Sequence, residues 1–292
     1  MKLQTIVDIK PSEWKIGCED KILMLGSCFS DEIGEQMKQR YLSVICNPFG
    51  TLYNPLSIAQ AINYKSSIIN HQLPLVEHEG MWHSMAHHGS FSRPTKEEAE
   101  EAVKASIETM QKALNEATVV IVTFGTAWIY EMKDSEWLSG SGASPVVGNC
   151  HKLPEKCFTR RRLTVEEIVA AWKPILEQYK DKHWLFTVSP IRHIKDGLHE
   201  NQLSKATLLQ ALDKMVNGKW INGKLHYFPS YEIVLDELRD YRFYADDLVH
   251  PSSMAVSYIW ERFVDTYCTP QTKNELVLQH KRWKHEHHIP LH

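Results

Sequence analysis

The chain has 292 residues, 43% hydrophobic and 24% charged, with 33 Lys+Arg against 36 Asp+Glu for a net charge of −3. These are the proportions of a folded globular protein, and a near-neutral chain lacks the basic excess that a nucleic-acid partner requires. No apolar run reaches the roughly 18 residues of a membrane span, so neither nucleic acid nor membrane is expected as a partner.

The first apolar run, Lys21–Gly26 (KILMLG), has the length and flanks of a buried strand. Residues Ser30–Tyr41 then read as a helix, and Leu42–Asn47 as a second strand stopped by Pro48 and Gly50. Pro55–Tyr64 is helical in pattern, whereas Gln72–Arg93 suggests short extended pieces and loops. Thr95 with Glu98 forms a capping box that opens a long helix, with Val103, Ile107, Met110 and Leu114 on one face. Ala117–Phe124 (ATVVIVTF) is β-branched and uncharged, which suits a parallel strand buried on both faces.

Trp137–Gly148, rich in Ser and Gly, is expected to be loop. Thr164 with Glu167 is a second capping box, for a helix reaching Tyr179 through Pro174. His183–Val188 is a fourth strand, Leu203–Val216 a helix, and Leu225–Pro229 a fifth extended segment. Ser252–Tyr267 is a final helix with Ser252 or Ser253 as its N-cap. Five strands alternating with helices predict an α/β doubly wound sheet. Such sheets bind ligands beyond the C-terminal ends of their strands. The pattern is read as one domain over 1–292, with inserted loops near 66–94 and 130–163 and a peripheral tail at 269–292.

The six cysteines, at 18, 28, 46, 150, 157 and 268, contain no CxxC pair and are read as scattered thiols. The N-terminus, with Asp8 and Pro11, lacks the apolar core of a signal peptide, so a cytoplasmic location is expected. The 16 histidines raise the question of a metal. His83 and His87 have i, i+4 spacing beside His88, but no HExxH pattern accompanies them and the segment does not read as a helix. No metal is expected there, and a place in the active-site wall is preferred. His285, His287, His288 and His292 belong to a charged, solvated terminus.

Two pieces carry chemistry. Ser27 directly follows the first strand in Gly26-Ser27-Cys28-Phe29, where a glycine lets the chain bend and the next helix N-terminus favours a developing oxyanion. A serine there is also a common N-cap, and Cys28 is a rival nucleophile on the same turn. Asp247-Leu248-Val249-His250 lies between the fifth strand and the last helix. A DxxH turn places a carboxylate beside the imidazole Nδ1–H and leaves Nε2 free as a base. Arg192 and His193, just after the fourth strand, with His199, Asn201 and Lys205, are candidates for a polar or anionic substrate group. Trp128, Trp137 and Tyr53 lie near strand ends, where rings stack on a sugar or acyl chain or simply pack.

Taken together, these pieces resemble the SGNH/GDSL hydrolases, and Gly26-Ser27-Cys28-Phe29 more closely resembles the motif that names the GSCFA family, with Ser30 where that name has Ala. Asn47–Pro55, Thr123–Trp128, Thr187–Arg192, Tyr227–Glu232 and Arg242–Ser252 are similar to the family as well. The resemblance spans about Ile22 to Phe263. It implies a three-layer α/β/α, flavodoxin-like fold around a mostly parallel five-stranded sheet, with ester chemistry and no cofactor. It implies Ser27 as nucleophile, His250 as general base and Asp247 as its orienting partner. The oxyanion hole it implies uses Ser27 and Gly50, and Ala127 stands where SGNH enzymes have an Asn donor. Asn54 or Thr126 is the expected replacement. His88, Trp128, Arg192, His193, His199 and Asn201 are expected to contact substrate. The expected substrate is a small-molecule or carbohydrate ester with a small acyl group. O-acyl transfer through the same acyl-enzyme and a non-catalytic glycan-binding module are the alternatives.

Overall fold

A computed structural model describes residues 4–64, 75–133, 146–218, 220 and 223–287. The central sheet contains β1 (Lys21–Gly26), β2 (Ser43–Cys46), β5 (Val119–Phe124), β8 (His183–Val188) and β9 (Leu225–Phe228). Its order is β2-β1-β5-β8-β9, and every neighbouring pair is parallel. In register, Gly26 lies opposite Thr123, and Phe124 opposite Val188. The chain therefore reverses its winding between β1 and β5, where such sheets open a crevice.

Alternation along the strands feeds two separate cores. Leu23, Leu25, Val120, Val122, Phe124, Trp184 and Phe186 face one side. There they meet α2 (Pro55–Ile62), α3 (Lys96–Glu116), α4 (Val165–Gln178) and α5 (Leu198–Asn217) through Ile58, Val103, Trp172 and Leu208. Ile22, Met24, Val119, Ile121 and Leu185 face the other side. They meet α1 (Cys28–Lys38), α6 (Ser253–Tyr267) and α7 (Pro270–Glu286) through Phe29, Ile259 and Leu276. The result is a three-layer α/β/α fold. All six residues of β5 are buried, as a strand covered on both faces requires.

Local signals act where the sequence places them. Thr95, Thr164 and Ser252 cap their helices by accepting from the N–H groups of Glu98, Glu167 and Ala255, and Glu167 completes a capping box. The segment expected to be a loop near 66–94 contains the antiparallel hairpin β3 (Leu75–His78) and β4 (Met81–Ser84). The one near 130–163 is bounded by β6 (Trp128–Met132) and β7 (Phe158–Arg162), also antiparallel. Its expected loop at 137–148 lies outside the described residues as far as 145. Helix α5 begins at Leu198, five residues before the expected Leu203, so His199 and Asn201 are helical. The terminal segment contains α7, started by Thr269 and Pro270. His288 and His292 lie outside the described residues. No described helix is long and apolar enough to cross a membrane, and all six cysteines are free thiols.

Candidate active site

The first element of the site is the turn from β1 into α1. Gly26 has φ +133, and a Cβ on it would stand 2.1 Å from the Thr123 carbonyl oxygen, so only glycine fits beside β5. Ser27 is the N-cap of α1, yet its side chain makes no capping bond. Ser27 is 1% exposed, and its Oγ is buried without a hydrogen-bond partner among the described residues. The side chain lies against Gly125, where a Cβ would come within 3.4 Å of the Ser27 Cβ and 3.1 Å of the Tyr53 carbonyl oxygen.

The second element is the loop between β9 and α6. Asp247 Oδ1 accepts from the Val249 and His250 N–H groups at 2.9 and 3.0 Å, and its Oδ2 lies 2.5 Å from His250 Nδ1. The backbone N–H of His250, with the His250 ring, holds the Asp247 carboxyl down at about 2. Leu248 takes φ +58 to close the turn, and the Ala245 N–H donates to the His250 carbonyl at 2.8 Å. Arg192 ties the loop to the end of β8. Its N–H donates to the Val249 carbonyl at 3.2 Å and its Nη1 to the Leu248 carbonyl at 3.1 Å. The His250 ring remains about half exposed.

A cleft of about 470 Å3 lies at these strand ends. His250, Cys28, Tyr53, Trp128, Arg192 and His193 contribute to its wall, as do Asn54 and Thr126. Cys28 lines this cleft whereas Ser27, 1% exposed, does not, and the Ser27 Oγ is not hydrogen-bonded to His250. Burial raises the Cys28 thiol above its ordinary pKa, which keeps it protonated at neutral pH and less reactive than an exposed thiol.

The expected oxyanion donors are differently engaged. The Ser27 N–H donates to the Thr123 carbonyl at 3.3 Å, and the Gly50 N–H to the Asn47 carbonyl at 2.7 Å. Gly50 backs onto His88, whose Cβ would lie 2.4 Å from a Cβ at position 50. Asn54 caps α2: its Oδ1 accepts from the Ser57 N–H and its Nδ2 donates to Ser57 Oγ at 2.9 Å. The Thr126 N–H donates to the Tyr53 carbonyl at 3.0 Å, and its hydroxyl pairs with Ser204 at 3.0 Å. The reason is local. Each loop satisfies its own backbone first, because an unpaired buried donor costs about 1–3 kcal/mol.

The expected substrate residues divide into three groups. Trp128 and His193 line the cleft, and each has a buried ring nitrogen without a partner among the described residues, Nε1 and Nε2 respectively. Burial, then the nearby Lys205 charge, pushes His193 down to about 4, so it is neutral at physiological pH. The His193 backbone N–H donates to Asn201 Oδ1 at 2.9 Å. Asn201 itself faces a neighbouring cleft, and Arg192 lines both. His88 and His199 line neither. His88 caps the turn Gly89–Phe91, and His199 is exposed on α5.

Arg160 was invisible in the sequence because β7 was not anticipated. Its guanidinium lies 4.2 Å from the Trp128 ring centroid, over the indole, and it pairs with Asp196 in the cleft wall. His87 is part of the core. It stacks on Phe49 at 4.1 Å, bonds Ser84 Oγ and Ser106 Oγ, and is pushed by burial down to about 3. Among the described residues no three His, Cys, Asp or Glu side chains are grouped to hold a metal ion.

No curated protein matches the chain. The GSCFA family model matches residues 21–263, which includes both the Ser27 turn and the Asp247–His250 loop, and the chain belongs to the GSCFA family.

Proposed function

We propose that the chain is a serine hydrolase acting on ester bonds, of the SGNH type that its motifs resemble. The observation that carries this reading is the Asp247–His250 pair at 2.5 Å, beyond the C-terminal strand ends, on the same crevice as the Ser27 turn. Asp247 accepts from Nδ1–H and so directs His250 Nε2 outward as an acceptor. In this mechanism Ser27 Oγ attacks the ester carbonyl carbon and its proton passes to His250 Nε2. The tetrahedral intermediate collapses, the alcohol leaves with that proton, and an acyl-enzyme remains. Water, deprotonated by His250, then releases the acid and restores Ser27. In this reading the nucleophile's own N–H serves as oxyanion donor, its bond to the Thr123 carbonyl being long, at 3.3 Å, and open to exchange for a stronger acceptor. A small acyl group on a polar or carbohydrate alcohol fits a cleft that mixes Trp128, Tyr53 and Arg192.

A second reading is a glycan-binding module without catalysis. It is favoured by the engaged oxyanion donors and by the lack of a bond between Ser27 Oγ and His250. Hydrolysis of p-nitrophenyl acetate by wild type, Ser27→Ala and His250→Ala separates the two. The hydrolase reading expects either variant to lose nearly all of the catalysed rate, because nucleophile and base act as a unit. Equal rates in all three proteins, with no labelling of Ser27 by a serine-directed phosphonate, would overturn it in favour of the binding module.

A further inference from the structure

Beside the cleft that holds His250 lies a second one, of about 270 Å3. Arg192 forms part of the wall of both, so the two meet at its side chain. Tyr231, Tyr241 and Tyr244 line the second cleft, together with Val234 and Leu235 from a π-helical turn at Ile233–Glu237. Turns of this kind are rare and recur at functional sites. The Arg192 guanidinium stands 5.4 Å from the Tyr244 ring centroid and 5.9 Å from that of Tyr241. Tyr241 is 64% exposed, which leaves ring surface open to a ligand.

The polar groups of this cleft are mostly donors. Gln202 Oε1 accepts from the Tyr231 hydroxyl at 2.6 Å, and Asn201 Oδ1 from the His193 N–H at 2.9 Å. Each amide oxygen therefore already accepts one protein bond, and no described residue accepts from either NH2 group. The carboxylate in the wall, Asp240, is committed to Arg242, through its backbone N–H and its Nη2, each at 2.9 Å. Arg192 has no carboxylate partner among the described residues, and its bond to the Leu248 carbonyl uses only Nη1. Arg239 adds a second positive charge, held loosely at 3.7 Å from Asp236. A guanidinium with free N–H groups is a fork for a carboxylate. Tyrosine rings beside it offer a flat surface for the face of a ring.

We infer that this second cleft binds a sugar ring carrying a carboxylate, which is the alcohol half of the ester cleaved at the first. The sugar role rests on the hydrolase reading, but the binding does not require catalysis and is tested without it. The carboxylate pairs with Arg192, the amides of Asn201 and Gln202 donate to ring oxygens, and Tyr241 packs on the ring face. Because Arg192 also holds Leu248 and Val249, a ligand there sits one side chain away from His250.

The test is equilibrium titration of the wild-type protein with methyl glucuronoside and with methyl glucoside, which share a ring and differ in the carboxylate. The glucuronoside is expected to bind at least about tenfold more tightly, and to lose that advantage in Arg192→Gln and in high salt. Tyr241→Ala, at a position 64% exposed, is expected to weaken both sugars. Equal affinity for the two sugars in wild type overturns the inference, as does the absence of saturable glucuronoside binding. Hydrolysis of p-nitrophenyl acetate, which carries no sugar, reports separately on the hydrolase reading.

Discussion

Lys205 Nζ donates to the Gly125 carbonyl at 2.7 Å, and to the Ser189 carbonyl at the same distance. One buried amine thus ties together the chain just beyond β5 and β8, and Gly125 is the residue against which Ser27 packs. Burial pushes Lys205 down to about 7 from an ordinary 10.5. Between these values the unfolded chain binds a proton that the folded chain does not, so this group makes stability rise with pH from about 7 upward. Urea midpoints measured from pH 7 to 9 should climb less in Lys205→Met than in wild type. The variant should also lose p-nitrophenyl acetate activity, as the Gly125 and Ser189 ends are no longer held. An unchanged pH slope would show that Lys205 does not titrate in this range.

Asp247→Asn tests the orientation of His250 separately from loop structure. An Asn side chain can still accept from the Val249 and His250 N–H groups, but it presents an N–H to Nδ1 and so reverses the tautomer. The expected loss in kcat is about 10⁴-fold, with little change in Tm because both side chains are half exposed. The carboxyl is held at about 2, so it is ionised throughout the assay range, and no loss of rate above about pH 3 should trace to it. A variant with near wild-type kcat would remove Asp247 from the mechanism.

Strands and capped helices were legible because each carries a local signal. The uncharged run of β5 and the Thr164 capping box are examples. The Ser27 turn and the DxxH loop were legible for the same reason, since each lies within a few consecutive residues. Helix α7 was not, because it buries only Thr272 and Leu276 and its sequence is otherwise polar, which gives almost no apolar periodicity. The β6–β7 pair was hidden by the distance between Met132 and Phe158 along the chain. The present partners of the expected oxyanion donors were not legible, for a different reason. Sequence shows which residues follow a strand, but where their N–H groups point depends on loop closure, as with Gly50 bonding back to Asn47.

Gly26→Ala should prevent normal folding. The new Cβ would meet the Thr123 carbonyl, which is backbone and cannot move without breaking the β1–β5 pairing, and φ +133 is strained for any side chain. The expected cost is on the order of 3 kcal/mol or more, read as loss of soluble protein or of the unfolding transition. Gly89→Ala is the matched control. Nothing lies within 4 Å of a Cβ there, so its stability should stay within about 0.5 kcal/mol of wild type. Equal stability of the two variants would mean that the close approach of β1 to β5 is not required.

Acid should weaken the fold through its buried histidines. Burial lowers His87 to about 3 and His151 to about 4, and lowers His193 and His226 as well. An unfolded histidine takes its proton near 6.5, so below that pH the unfolded chain binds protons that the folded chain refuses. Stability is therefore fully present above about 6.5 and falls as pH drops toward 4. His87, with its ring closed between Ser84 and Ser106, contributes up to about 1.4 kcal/mol for each pH unit inside its window. His87→Phe keeps the stack on Phe49 but cannot titrate. It should be less stable than wild type at pH 7, where the Ser84 hydroxyl loses its partner, and should lose less on going to pH 5. Urea unfolding of both proteins at pH 7, 6 and 5 makes the comparison. Parallel losses in the two would show that His87 takes no part in the acid response.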